Sequence, residues 1–169
     1  HRADLRMTRD EAKREHRESE GDPQLKGQIR SRQREAARRR MLSAVPSADI
    51  VVVNPTHYAV AIRYDEAAGG APRVVAKGLD ELAMRIQAIA RESGVPVLSA
   101  PPLARALYAH VELDQEIPQA LYVAVAQVLV YVYQLKRWIP GRSTAPQAPV
   151  DLPVPTEMDP KHSEKGKHA

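Results

Sequence analysis

The sequence predicts an α/β fold: a mixed central sheet of about four strands surrounded by helices, with an extended helical linker on its N-terminal side. Two observations predict this class. Short apolar runs of strand length alternate along the chain with longer segments whose apolar residues recur every three to four positions. Two of the short runs, 48–53 and 58–64, are separated by only four residues, so we expect them to pair directly.

Composition favours one modest domain with extensions. The chain has 169 residues, is 43% hydrophobic and contains no cysteine, which excludes disulfides, thiolate catalysis and cysteine-based zinc sites. The net charge of +4 is compatible with anionic partners, but many of the Lys and Arg residues precede Leu42 and are mixed with Asp and Glu. No run reaches the ~20 apolar residues of a membrane span. The chain begins at His1 rather than Met and shows no signal peptide, so we expect an upstream part to be missing.

Three regions follow from this distribution. Residues 1–45 form a charged helical linker, in which Thr8 and Glu11 have the spacing of a capping box and an arginine-rich helix follows at 24–41. Residues 46–139 form the globular domain. Residues 140–169 are rich in proline, and we expect them to be disordered or extended.

Within the domain, strand 48–53 is buried, and strand 58–64 places every second residue on one face. A short third strand is predicted at 73–76, after which Gly78 turns the chain into a helix over 79–92. Gly94 has the position of a left-handed cap for that helix. Pro96 favours an edge position or a first-residue position in the fourth strand, 95–98.

Two further helices are predicted from proline starts. One spans 101–110, and the longest one begins after Pro118 and ends near Trp138. Its main apolar stripe runs from Leu121 to Leu135, but Val123 and Val130 lie elsewhere on the helical wheel. We therefore expect this helix to be buried on more than one side.

The stretch with chemical potential is Asn54-Pro55-Thr56-His57, directly after the first strand. In the usual deamidation of asparagine, the backbone N–H of the next residue attacks the side chain. Pro55 has no backbone N–H, so this reaction cannot occur at Asn54. The remaining route is attack by the Asn54 side-chain nitrogen on its own carbonyl carbon, which breaks the Asn54–Pro55 bond. His57 has the pKa range of a proton relay, and the Thr56 hydroxyl is a candidate donor to the developing oxyanion.

On spacing alone, however, an Asn-Pro pair is more typical of a simple strand-ending turn, and a lone histidine there is more often structural than catalytic. The histidines His57, His110, His162 and His168 are too scattered for a zinc site, and we expect no metal and no cofactor.

Four motifs together resemble the cytoplasmic domain of the FlhB/YscU family, whose members are autocleaving switch proteins of type III secretion. They are Asn54-Pro55-Thr56-His57, PRVVAKG at 72–78, PPLARALY at 101–108, and Ile117-Pro118 leading to Leu121-Tyr122. The motif at 101–108 and the ending Leu135-Lys136-Arg137-Trp138 are more similar to the flagellar branch. The injectisome branch of virulence type III secretion is the alternative.

The resemblance implies a single self-cleavage event per chain rather than enzymatic turnover, with Asn54, Pro55, Thr56 and His57 as the reacting stretch. It implies a switch of export substrates from rod and hook proteins to filament proteins. It also implies an apolar substrate-docking patch at Ala71, Pro72, Ala126 and Leu129, although Leu129 also fits plain core.

The implied location is the cytoplasmic face of the bacterial inner membrane, reached only through the missing upstream domain. The implied partners are other export-apparatus proteins, exported rod and hook substrates and a hook-length control protein, with no nucleic acid. Two alternatives remain: a scaffold that does not cleave, and a module that binds anionic surfaces through the arginines at 30–40.

Overall fold

The computed structural model describes residues 22–55 and 57–161. The chain divides into two compact units, residues 1–40 and residues 41–169. Helix α1, Pro23–Ala44, begins in the first unit, where the Asp22 carboxylate accepts a hydrogen bond from the Gln24 N–H at 3.1 Å. Nearly every side chain between 22 and 40 is exposed. The predicted helix at 24–41 is therefore present, and the predicted capping box at Thr8 lies outside the described residues.

The second unit is built on a four-stranded mixed sheet, as the sequence predicts. Its strands are β1 (Ile50–Asn54), β2 (Tyr58–Arg63), β3 (Arg73–Leu79) and β4 (Val97–Ser99), in the order β3-β2-β1-β4. The pairs β1-β2 and β2-β3 are antiparallel, whereas β1 and β4 are parallel. The strand that ends in Asn54 is therefore an interior strand of the sheet, and the strand that follows Pro96 lies at an edge, as expected.

Helices cover both faces of this sheet: α2 (Asp80–Glu92), α3 (Pro101–His110) and α4 (Tyr122–Arg137), the last preceded by a 3-10 turn at Gln119–Leu121. The alternation along β1 decides which residues face which helix. Ile50 and Val52 pack in one cluster with α3 and α4, while Val51 and Val53 pack in another with α2. Each such buried side chain contributes about 1.5–3 kcal/mol from burial before the entropy of folding is subtracted.

The prediction for Gly78 is wrong. This glycine is paired with Ala59 inside β3, which continues to Leu79, and the chain turns into α2 at Asp80. Asp80 adopts the left-handed backbone conformation, with φ of 47°. A Cβ atom at position 78 would lie 2.7 Å from the Leu82 Cγ, so Gly78 is required by close packing against the next helix.

The prediction that α4 is buried on more than one side is also wrong. Val123 is 61% exposed and Val130 is 53% exposed, because no helix or strand among the described residues packs over the face opposite the main stripe. Nor is α4 the longest helix: it has 16 residues, and α1 has 22.

The sequence predicts a disordered or extended tail over 140–169, and in the part that the structure describes this tail is largely extended and partly packed. The chain is extended from Leu152 to Pro155, but Leu152, Val154 and Met158 pack against the core, and Asp159 is 2% exposed. Proline-rich composition disfavours helix and sheet, but alternate apolar residues still give an extended segment a face to bury. Residues 162–169 lie outside the described residues.

Candidate functional site

The Asn-Pro stretch forms the turn between β1 and β2. Asn54 is the last residue of β1 and is half-buried, whereas Pro55 and His57 are exposed; Thr56 lies outside the described residues. The backbone N–H of His57 donates a hydrogen bond to the Asn54 carbonyl oxygen at 3.0 Å. The carbonyl that the side-chain nitrogen would attack in self-cleavage is therefore already polarised by a fixed donor.

The residue before Asn54 is held by the neighbouring parallel strand. The N–H of Ala100, just after β4, donates to the Val53 carbonyl oxygen at 2.9 Å. On the other side, Asn54 is paired with Tyr58 across the antiparallel ladder. Both flanks of the turn are thus anchored in the sheet, which limits the motion of the Asn54 backbone.

Asp80 is a neighbour of His57 that sequence reasoning missed. Its N–H donates to the His57 carbonyl oxygen at 3.0 Å, and its Oδ1 atom lies 3.8 Å from His57 Nδ1. The two side chains are 66% and 77% exposed, so water weakens their attraction. The available signal was an acidic residue in the first turn of a predicted helix, but its closeness to the Asn-Pro turn depends on the pairing of β2 with β3.

A tyrosine pair and a lysine fix the strand that leaves the turn. The rings of Tyr58 and Tyr108 lie 5.1 Å apart between centroids at an angle of 51°, and Lys77 Nζ lies 4.9 Å from the Tyr108 ring centroid. Lys77 also donates to the Tyr108 carbonyl oxygen at 3.0 Å. Burial raises the pKa of the Tyr108 hydroxyl, and nearby Tyr58 adds to this effect.

The four residues assigned to substrate docking meet in one open apolar cleft of about 480 Å³. Ala71 and Pro72 come from the loop before β3, and Ala126 and Leu129 come from α4. Leu129 is 7% exposed and belongs to the core cluster, so it serves as core and as the floor of the cleft. Their assembly is a fact of the fold, and their role in binding stays a prediction.

The rim of this cleft carries residues that the sequence reasoning did not select. Tyr133 donates a hydrogen bond to Glu66 at 2.7 Å, and this bond raises the pKa of Tyr133 to about 12. Glu116 accepts from Arg73 at 3.2 Å on the other side. The cleft therefore combines an apolar floor with acidic side chains at its edges.

Two findings concern alternatives raised by composition. In the parts of the chain that the structure describes, no helix has both the length and the apolar character needed to cross a bilayer. Within the same residues, no three histidine or carboxylate side chains are grouped as metal ligands would be.

Comparison with solved structures defines the class of protein. The structure is similar to the crystal structure of the cytoplasmic domain of FlhB from Shewanella putrefaciens, with a TM-score of 0.68 and 48% sequence identity over 74% of this chain and 97% of that chain. Fold and sequence therefore define an FlhB-type cytoplasmic domain.

The family assignment follows from a family model. The model described as the FlhB HrpN YscU SpaS Family matches residues 1–132, and the chain belongs to this family. The resemblance inferred from the four motifs is confirmed.

Curated relatives carry the flagellar name. The chain is 55% identical over 159 residues to the flagellar biosynthetic protein FlhB of Escherichia coli (strain K12) and 48% identical over 133 residues to that of Bacillus subtilis (strain 168). These matches cover 94% and 79% of this chain but 42% and 37% of the relatives. The chain spans about two-fifths of the length of these relatives.

Proposed function

We propose that this chain is the cytoplasmic part of a flagellar type III export-apparatus protein, and that it cuts its own backbone once between Asn54 and Pro55. The cut switches the exported substrates from rod and hook proteins to filament proteins. One observation carries the proposal most strongly: the Asn54 carbonyl, at the end of a buried strand, accepts the His57 N–H at 3.0 Å.

The proposed reaction is a cyclisation. The Asn54 side-chain nitrogen loses a proton and bonds to the Asn54 carbonyl carbon, and the oxygen takes up negative charge. The His57 N–H stabilises that oxyanion, an effect that is worth about 3–4 kcal/mol per donor in characterised enzymes. The bond to the Pro55 nitrogen then breaks, and this nitrogen takes up a proton. The products are a C-terminal succinimide at residue 54 and a free proline amine at residue 55.

The His57 imidazole is proposed as the proton relay for both transfers. It is exposed to solvent, which allows water to exchange protons with it. The Thr56 hydroxyl is proposed as a second donor to the turn. The reaction consumes its own nucleophile, so the chain acts once and is not a turnover enzyme.

Self-cleavage is tested by mass spectrometry of the purified chain and by denaturing gels. Wild type should yield residues 1–54 and 55–169, whereas Asn54→Ala should stay intact. Asn54→Asp is the matched control, because it keeps the shape of the side chain and removes the nucleophilic nitrogen. A wild-type chain that remains one band after prolonged incubation at mildly alkaline pH would contradict the proposal and favour a scaffold that does not cleave.

The apolar cleft at Ala71, Pro72, Ala126 and Leu129 is proposed as the docking site for apolar segments of exported rod and hook proteins. Its volume and mostly apolar lining suit a short peptide, and pockets of about this size bind ligands in other proteins. A hook-length control protein and other export components are the further partners. An upstream membrane domain would hold the chain at the cytoplasmic face of the inner membrane.

Two exposed valines on α4 offer a matched test of this cleft. Val130 lines it and is 53% exposed, whereas Val123 lies outside it and is 61% exposed. We expect Val130→Asp to weaken binding of a purified rod or hook protein at least tenfold, because a charge would be placed against the bound apolar segment. Val123→Asp should leave binding unchanged, and equal effects of the two variants would exclude the cleft as the docking site.

A further inference from the structure

The last described segment of the chain packs along α3 and forms one wall of a groove at the N-terminal end of that helix. The groove is formed by Ser99 at the end of β4, by Ala100 after it, and by Pro102 and Leu103 in the first turn of α3. Residues 149–152, Val154 and Asp159 line its other side. The segment is extended through residues 152–155 and then forms a short 3-10 turn at Thr156–Met158.

A paired charge anchors this segment. Asp159 accepts two hydrogen bonds from Arg105 on α3, at 2.7 Å from Nε and 2.9 Å from Nη2. The side chains are 2% and 13% exposed, and the bond to Asp159 raises the pKa of the Arg105 guanidinium. Two parallel bonds match the planar fork of arginine to a carboxylate, so this contact selects an acidic group in one orientation.

Apolar contacts and one backbone contact support the anchor. Leu152, Val154 and Met158 pack against the core cluster that includes α3, and His110 Nε2 lies 3.0 Å from the Met158 carbonyl oxygen. Two of these apolar residues are two positions apart, as an extended segment requires if it is to bury one face. The groove therefore binds a segment that combines an apolar face with an acidic residue at its end.

The connection between the domain and this segment is different in character. Residues 144–150 form no helix or strand, and most of their side chains are exposed. A segment that is bound at its end and joined by such a stretch behaves like a ligand on a tether, whose effective concentration is in the millimolar range. The segment is not a strand of the sheet, so its release would leave the β-ladders in place.

We propose that the groove along α3 is a docking site for an extended, proline-containing peptide whose carboxylate pairs with Arg105, and that residues 149–159 are its resident ligand in cis. While the tail is bound, the groove is closed to other peptides of the same chemistry. The site adjoins Ala100, which holds Val53 beside the Asn-Pro turn, but the proposal does not depend on self-cleavage.

The test uses the full chain and a fluorescent peptide of residues 147–161. In the wild-type chain the resident tail competes, so the added peptide should bind weakly. In Asp159→Asn the resident tail loses its anchor, and the same peptide should bind at least tenfold more tightly. Adding Arg105→Gln to Asp159→Asn should abolish that gain. Glu157→Gln is the matched control, because it removes an exposed carboxylate two residues away and should behave as wild type.

Hydrogen exchange in a different variant gives a second measurement, which remains informative if Asp159→Asn fails to fold. In Arg105→Lys, which keeps the charge and loses the fork, amides at 152–159 should exchange at least tenfold faster while those of β1 are unchanged. Equal peptide affinity in wild type, Asp159→Asn and the double variant would overturn the proposal. Unchanged protection of the amides at 152–159 from exchange in Asp159→Asn and Arg105→Lys would also overturn it. A concentration-dependent dimer of the wild-type chain would overturn the assignment in cis and place the tail on a second copy.

Discussion

At the residue scale, the proposed chemistry depends on a backbone group as well as on side chains. The N–H of His57 contacts the Asn54 carbonyl oxygen, and the His57 carbonyl is held by the N–H of Asp80. The imidazole is thus fixed at its backbone, while its ring is exposed beside the Asp80 carboxylate. A substitution of the imidazole leaves the oxyanion donor in place.

His57→Ala should therefore slow self-cleavage without abolishing it. The loss of a general acid–base group costs about 10²- to 10⁴-fold in rate, whereas the backbone donor survives. The measurement is the fraction of cut chain against time at several pH values, with Asn54→Ala as the zero-rate reference. Complete loss of cleavage in a folded His57→Ala chain would show that the imidazole, and not the backbone, is essential.

Asp80→Asn should change the cleavage rate less than about fivefold, because exposed ion pairs contribute about 0.2–1 kcal/mol. Asparagine also tolerates the left-handed conformation at φ of 47°, so the turn should stay intact. The comparison is made in wild-type and His57→Ala backgrounds. If the Asp80 carboxylate acts through the imidazole, Asp80→Asn should change the cleavage rate only in the wild-type background. Equal changes in both backgrounds would contradict a coupling between Asp80 and the His57 ring.

Tyr133 gives a pH prediction at the rim of the docking cleft. Its pKa is raised to about 12, chiefly by its hydrogen bond to Glu66, so the folded state favours the protonated phenol. The resulting stabilisation is fully present below the unfolded pKa of 10 and is lost as the pH rises through about 12. In Glu66→Gln the Tyr133 pKa should fall towards 10, as measured by ultraviolet titration against Tyr133→Phe. An unchanged titration would exclude Glu66 as the main cause.

At the scale of secondary-structure elements, the junction of β3 and α2 decides how closely the helix lies on the sheet. Gly78 admits Leu82 into the space where another residue would have a Cβ atom. The sheet continues to Leu79, and the reversal is concentrated in Asp80. The same junction places the start of α2 against His57, so packing and site geometry are linked here.

Gly78→Ala should destabilise the domain by about 1–3 kcal/mol, because the new methyl group would lie 2.7 Å from Leu82 Cγ. Thermal and urea unfolding measure the loss, and Leu82→Ala in the same chain should recover part of it. Gly27→Ala is the matched control, since no atom lies within 4 Å of its added Cβ. Equal stability of Gly78→Ala and wild type would mean that Leu82 moves away freely.

At the scale of the whole molecule, the position of β1 determines what a cut would do. The strand lies between β2 and β4, and Ile50, Val51 and Val52 are fully buried on its two faces. Cutting after Asn54 removes one covalent bond but leaves both ladders and both apolar clusters in place.

A cut chain should therefore elute as a single species under native conditions, with residues 1–54 and 55–169 separating only in denaturant. Size-exclusion chromatography followed by denaturing gels measures this directly. Val52→Ala should weaken retention, because it removes buried apolar area and leaves a cavity. Separation of the wild-type fragments in native buffer would contradict the interior position of β1 as the reason for retention.

Much of this architecture follows from sequence periodicity. The alternation in 58–64 placed Val60 and Ile62 on one face, Gly94 takes the left-handed conformation with φ of 74°, and α3 spans Pro101–His110 as predicted. The geometry of the candidate site was harder to predict from the sequence. Asn54 and His57 are three positions apart in sequence, whereas Asp80 reaches His57 only through the register that pairs Tyr58 with Leu79.

By itself, the sequence determined the order and kind of the elements, the Asn-Pro turn after a buried strand, and the family, because these depend on local spacing and short motifs. Tertiary structure alone decided that the side of α4 with Val123 and Val130 is exposed, that Ala71 and Leu129 share a cleft, and that Asp159 pairs with Arg105. The reason is physical: these features join residues that are far apart in the chain, and burial depends on which elements meet.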